Sequence, residues 1–272
     1  MKIYISADIE GITGVVSPEQ CRPGNPEYER ARRLMTEEIN AAIEGALSAG
    51  ADDILVNDAH GPMTNLLPEL LNPHARIILG KPKPLNMFEG LEASHDAVFC
   101  VGFHARASEF GVLAHTTNGF AFRDIRLNGV SYGEAGIYGA YAGSLGVPVA
   151  LVTGDDRCVV ENSCLFPDAV MVQTKVALGN RAALNLSVAA TRDAIRDGAY
   201  RAAKAARTMK PFVLEGPFTL ELTMAAPALA DLAAIVPTAE RRDALTVAFT
   251  AKTVSEAVRW VNTISALSSF LR

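Results

Sequence analysis

Two carboxylates, Asp8 and Glu10, sit two positions apart in the segment ISADIEG (Ile5 to Gly11), directly after the apolar run Ile3 to Ala7. On an extended chain, residues two apart project to the same side. Like charges placed this way at the end of a buried strand repel each other and resist desolvation, so the pair calls for a cation. Other apolar runs also end in ionisable groups. DILVN leads into Asp58 and His60, AVFCVGF into His104, and PVALVTG into Asp155 and Asp156. Carboxylate and imidazole donors with no cysteine among them suit Zn²⁺, Mn²⁺ or Co²⁺ better than a structural thiolate site. Two histidines with several carboxylates can also hold two ions. Such a pair, roughly 3.5–4 Å apart, can bridge a hydroxide and polarise a carbonyl or phosphoryl oxygen. Glu134, flanked by Gly133 and Gly136, is a further candidate ligand.

Taken singly, each of these residues has a plainer reading. Asp8 and Glu10 could cap the next turn, and Glu134 could cap its helix. His60 or His104 alone could be a satisfied structural histidine. Asp155 and Asp156 could bond loop backbone. His74 reads as a loop residue and His95 as a surface residue before a strand, while spacing alone leaves His115 open. What favours chemistry is convergence, because ligands of open parallel α/β sheets bind outside the carboxyl ends of the strands.

The elements that must position these groups follow from periodicity. Ile3–Ala7 reads as a strand. Asn25-Pro26 reads as a cap and first helical position, ahead of a helix carrying Leu34, Ile39, Ile43 and Leu47 and ending at Gly50. Asp53–Asn57 is the next strand, which completes a right-handed βαβ unit. Arg76–Leu79, Ala97–Phe103 and Pro148–Gly154 continue the strand series. Asn128-Gly129 signals a hairpin, and Glu134 to Leu145 forms a small-residue helix. In the tail, Phe218–Thr223 and Leu245–Thr250 are strands, and Thr253 with Glu256 marks the capping box of a last helix. The fold class expected is α/β, an open and mostly parallel sheet flanked by helices with a smaller α+β C-terminal lobe. The division expected is residues 1–180 and 181–272.

Composition narrows the function classes. The chain has 272 residues, of which 49% are hydrophobic, and a net charge of −5. No basic stripe points to nucleic acid, and no apolar run approaches the ~18–20 residues of a membrane span. The chain begins directly with a strand, so no secretory leader is expected. The four cysteines show no C-x-x-C spacing and fit a cytoplasmic setting. There is no G-x-S-x-G, Walker A or H-E-x-x-H motif.

The motif series as a whole resembles a known family. S-A-D-I-E-G (Ser6 to Gly11) resembles the S-x-D-x-E-G signature of the zinc-dependent D-aminopeptidase DppA family. N-D-A-H-G (57–61), G-K-P-K-P-L (80–85), V-G-F-H-A (101–105), G-V-L-A-H-T (111–116), N-G with G-E (128–134) and V-T-G-D (152–155) follow in that family's order. The resemblance implies two Zn²⁺ per chain held by Asp8, Glu10, His60, His104 and Glu134, with Asp8 bridging. It implies a catalytic role for His115 as acid, oxyanion donor or nucleophile, and a metal-activated hydroxide that releases the N-terminal residue of short peptides. It further implies D-amino-acid peptides such as D-Ala-D-Ala as substrates and a homo-oligomeric ring, a decamer. Arg106–Ser108 and Tyr138-Gly139 depart from the family pattern and are read as candidate pocket residues. Two other readings share the residue types. One is a two-metal phosphoesterase, for which Lys81, Lys83 and Arg106 are the only basic candidates. The other is a peptide-binding relative without catalysis.

Overall fold

The strand from Lys2 to Ala7 is covered on both sides: Ile3, Ile5 and Ala7 belong to one apolar core and Tyr4 to another. Only a sheet with layers on both faces permits this. The computed structural model describes all 272 residues. In chain order its elements are β1 (Lys2–Ala7), α1 (Pro26–Ser48), β2 (Asp53–Asp58), β3 (Ala75–Ile78), β4 (Ala97–Phe103), β5 (Phe122–Leu127), β6 (Val130–Ser131), α2 (Glu134–Ser144) and β7 (Val149–Asp155). There follow α3 (Asp156–Leu165), β8 (Val170–Gly179), β9 (Ala182–Asn185), α4 (Val188–Ala205), β10 (Phe218–Met224), α5 (Pro227–Ala233), β11 (Glu240–Arg241), β12 (Thr246–Ala251) and α6 (Val254–Ser268). No helix is long and apolar enough to cross a membrane.

The first sheet runs β3-β2-β1-β4-β7-β8-β9, parallel through β8, with β9 antiparallel at its edge. The second runs β11-β12-β10-β5-β6 and is antiparallel throughout. Helices α1 and α4 cover one face of the first sheet, where Ile39, Ile43 and Ala199 meet Ile3 and Ile5. They approach closely: a Cβ at Gly45 would fall 2.2 Å from the Arg196 carbonyl oxygen. On the other face Tyr4 and Val98 share a core with Tyr138 of α2, Leu220 of β10 and Val258 of α6.

The local signals are met. The Asn25 side chain accepts from the Tyr28 amide and starts α1. Asn128 and Gly129 both have positive φ, +52° and +79°, as a type I′ hairpin requires. Thr253 caps α6, while Glu256 reaches back to the Lys252 amide. The sheets do not divide the chain at residue 180. β9 and α4 carry the first layer pair to residue 205, and the hairpin β5–β6 pairs with β10 from the tail. Alternation in a short strand shows that it has a buried face but not which distant strand it joins. His95 is also buried rather than on the surface, its ring edge-on to Tyr4 at 5.6 Å.

β2 and β4 flank β1 on opposite sides, so a crevice opens between the carboxyl ends of β1 and β4. The loop leaving β1 carries Glu10 and is held from several directions. Lys175, fully buried on β8, donates all three ammonium protons, to the carbonyls of Glu10, Ile12 and Val15 at 2.6–2.9 Å. Thr174 Oγ1 donates to the Gly11 carbonyl, and the Gly14 amide donates to Asn185. The Thr13 amide donates to Glu38 of α1. Burial pushes Lys175 down to about 8 and Glu38 up to about 7.

Two expectations follow. Lys175→Met strands three buried carbonyls and should lower unfolding free energy by about 3 kcal/mol in denaturant titration. Glu38 holds its proton more tightly folded than unfolded, so its contribution to stability falls as pH rises from 4.5 to about 7. The stability of Glu38→Gln relative to wild type should therefore rise across that interval. A flat difference would contradict this assignment.

Candidate metal centre at the carboxyl edge of the parallel sheet

Six side chains from separate parts of the chain meet in the crevice. Asp8 and Glu10 follow β1, His60 follows β2, His104 follows β4, Glu134 opens α2, and His115 comes from the long connection between β4 and β5. All except His115 are buried. The strand ends come this close because glycines stand where they cross. The Gly11 amide donates to the Gly102 carbonyl at 2.7 Å, and a Cβ on Gly11 would lie 2.0 Å from the Phe103 carbonyl oxygen. A Cβ on Gly102 would lie 2.2 Å from the Asp8 carbonyl oxygen.

Asp8 lies between the two halves of the cluster. Its Oδ1 is 3.3 Å from His60 Nδ1 and its Oδ2 is 3.4 Å from His104 Nε2. Glu10 Oε2 adds to the first half, 2.9 Å from His60 Nδ1. Glu134 Oε2 adds to the second, 3.3 Å from His104 Nε2. His115 stacks on His104 with ring centroids 4.2 Å apart, and its Nε2 faces Glu10 Oε1 at 4.0 Å and Glu134 Oε1 at 3.9 Å.

Each imidazole has one nitrogen against a backbone carbonyl. His60 Nε2 donates to Cys21, His104 Nδ1 to Ala105 and His115 Nδ1 to Leu113, at 2.8–2.9 Å. For His60 and His104 that bond selects the tautomer and turns the other nitrogen's lone pair inward, as metal-binding histidines require. Glu10 Oε2 and His104 Nε2 are buried with no hydrogen-bond partner. Orphaned buried polar atoms are costly in a native fold, and here both face other donors of the same cluster. The donor set therefore fits divalent cations. The charge balance agrees. Burial opposes ionisation of Asp8, yet the imidazoles of His104 and His60 beside it hold it well below the usual carboxylate range. Burial likewise opposes protonation of His60 and His104. The charges of Glu10 on the first and Glu134 on the second, with Asp8 on both, outweigh burial and push the two imidazoles well above their ordinary range. The cluster demands positive charge.

Supporting groups surround it. Asp58 accepts from the Asn65 and Leu66 amides and from the Asn65 side chain, which also donates to the His60 carbonyl. Glu134 Oε1 accepts from the Thr117 amide, bracing the segment that carries His115. Asp155 and Asp156 touch no ligand candidate. Asp155 caps α3 and accepts from the Val112 amide, and Asp156 accepts from the Ala177 amide. Lys175 acts through the Glu10 backbone. Cys21 is a neighbour that spacing did not reveal: its Sγ, a Glu10 oxygen and a His60 nitrogen lie within 4.8 Å of one another.

Two adjacent cavities lie over the cluster. The inner one, about 90 Å³, is lined by Asp8, Ala59, Asn86, Met87 and Glu134 together with His60, Gly61, His115 and Thr117. Those last four also border an outer cavity of about 900 Å³. Neither Arg106–Ser108 nor Tyr138-Gly139 lines either cavity. Tyr138 packs on Phe88, and a Cβ at Gly139 would meet Phe166 at 2.5 Å, so core packing occupies that part of α2. Of the basic candidates for a phosphoryl site, Lys83 Nζ is spent on Asn57 and the Asp58 carbonyl, and Arg106 is paired with Glu109. Only Lys81 borders a cavity.

Comparison with known proteins agrees along the whole chain. The model of the peptidase M55 family, described as D-aminopeptidase, matches residues 1–263. A D-aminopeptidase of Bacillus subtilis (strain 168) is 35% identical over 258 residues, 94% of each chain. The solved structure of the Zn-dependent D-aminopeptidase DppA from Bacillus subtilis, described as a self-compartmentalizing protease, superimposes with a TM-score of 0.96 at 34% identity. That match covers 99% of this chain and 98% of the other.

The strand crossing sets a sharp expectation. Gly11→Ala forces the ends of β1 and β4 apart and should cost about 2–3 kcal/mol of stability. Elemental analysis of the purified variant should show less bound divalent metal per chain than wild type. Full metal retention would show that the close crossing does not set the cluster's geometry.

Proposed function

Because the chain belongs to the peptidase M55 family of D-aminopeptidases, we propose that the cluster is a two-zinc centre that releases the N-terminal residue of short D-amino-acid peptides. The observation that carries this reading is Asp8, with one oxygen toward His60 and the other toward His104, flanked by Glu10 and Glu134. The enzyme is a hydrolase of the metallopeptidase type. Asp8, Glu10 and His60 would hold one ion, and Asp8, His104 and Glu134 the other. Zinc held there would supply a Lewis acid for the scissile carbonyl and a water of pKa near neutrality.

The chain's own groups do the rest. Backbone carbonyls fix the three imidazole orientations before substrate arrives. His115 has a side chain 24% exposed and borders both cavities, so it is the one imidazole of the cluster that substrate can reach without displacing a ligand. With Nδ1 anchored on Leu113, its Nε2 is placed to give a proton to the leaving amine. The inner cavity, about 90 Å³, is small beside the outer one of about 900 Å³, and D-Ala-D-Ala is the first substrate to try. The homologue's self-compartmentalizing character supports a homo-oligomer, for which a decamer is proposed. Four unpaired cysteines support a reducing, cytoplasmic compartment.

The test is amino-acid release from matched D- and L-dipeptides, before and after chelation and zinc restoration. Release from D-substrates that is lost on chelation and recovered with zinc is expected. A zinc-loaded chain that cleaves none of them would defeat the proposal. His115→Ala should lower kcat by about 10²–10⁴-fold with zinc content retained, whereas His60→Ala should lower the zinc count itself.

A further inference from the structure

The outer cavity is cationic although the chain is acidic. Net charge is −5, yet Arg22, Lys81, Arg181 and Arg272 all border this cavity, and its single acidic lining residue is Glu10, a ligand candidate. None of the four cations takes part in an ion pair within the chain. Arg272 lies over the Phe120 ring, 5.7 Å from its centroid. Glu19, just outside the cavity, accepts from the Ser17 hydroxyl at 2.5 Å and feels the charges of Arg181 and Arg22 without forming an ion pair with either. Elsewhere on the surface, arginines such as Arg196 and Arg201 are matched by acids on neighbouring helix turns. Like charges left without a direct ion pair around one concavity repel each other and raise the local concentration of anions.

Position gives this charge a use. An aminopeptidase places the N-terminal residue at the metals, so the rest of the peptide must extend away from them. Here the way out passes His60, His115 and Thr117 into the outer cavity. A short peptide carries one obligatory anion there, its C-terminal carboxylate, and guanidinium groups bind carboxylates in bidentate fashion. We propose that Arg22, Lys81 and Arg181 form a subsite for the free C-terminal carboxylate of the substrate, which makes the enzyme selective for very short peptides with an unblocked C-terminus. This inference rests on the aminopeptidase reading of the metal centre and adds a second anchor to it.

The experiment compares D-Ala-D-Ala with its C-terminal amide on zinc-loaded wild type, on Arg22→Gln/Arg181→Gln and on Arg22→Lys/Arg181→Lys. Zinc content and melting temperature are measured on the same samples. Wild type should prefer the acid by roughly tenfold or more in kcat/KM, the scale of a charged hydrogen bond. The Gln pair should bring the acid-to-amide ratio close to one, and the Lys pair should restore part of it. Added salt should erode the wild-type preference. Equal use of acid and amide by wild type, or an unchanged ratio in the Gln pair, overturns the subsite. If neither peptide is cleaved, the aminopeptidase reading is what has failed. Calorimetric binding of the two peptides then decides the subsite by itself: acid-selective binding lost in the Gln pair sustains it, and equal binding refutes it.

Discussion

Mutual repulsion among three buried carboxylates, Asp8, Glu10 and Glu134, is the constraint on which the rest of the molecule depends. Ionised side chains so far removed from water are tolerated only when paired or bound to metal. The fold meets this demand with two imidazoles, His60 and His104, whose outward nitrogens are already committed to carbonyls, so their inward nitrogens serve as acceptors for a cation. Two cluster atoms, Glu10 Oε2 and His104 Nε2, are buried without a hydrogen bond. A purely structural polar network would satisfy them, and a metal centre would use them.

Holding such a cluster rigid is the work of groups that never touch it. Lys175 gathers three carbonyls of the loop after β1, Glu38 and Asn185 fix that loop's amides, and Asp58 with Asn65 closes the turn that presents His60. The buried ammonium and carboxyl are pushed toward neutrality by the same burial that makes them effective clamps. These clamps in the layer beneath the site fix the geometry above it, as preorganised centres require.

The two sheets divide the work. The parallel sheet delivers Asp8, Glu10, His60 and His104 from strand ends, where the right-handed crossovers of βαβ units bring all carboxyl ends to one edge. The remaining members, Glu134 and His115, come from the excursion between β4 and β7 that also contributes β5 and β6 to the second sheet. That excursion covers the crevice, places His115 at the boundary between the two cavities and leaves a cationic outer space beyond it. Chemistry and access therefore lie on different segments, and the second can vary while the first stays fixed.

Much of this was readable from residue order alone. Alternation and unbroken apolar runs identify β1, β2, β4 and β7, and parallel topology then forces their carboxyl ends together, so Asp8, Glu10, His60 and His104 could be grouped without coordinates. Glu134 was a candidate only from its place at a helix start beside glycines, and His115 needed the motif resemblance, because no period links a helix start or a loop to a sheet edge. Pairings that depend on distant partners were decided only in three dimensions. They include the union of β5–β6 with β10, the antiparallel edge β9 and the burial of His95 against Tyr4. Spacing likewise could not say that Lys175 bonds backbone rather than a metal ligand, that Cys21 lies beside Glu10 and His60, or that Arg22 and Arg181 share one cavity. The physical reason is the same in each case. Periodicity records which face of an element is buried, whereas long-range contacts are set by how whole layers pack, and that information is spread over the entire chain.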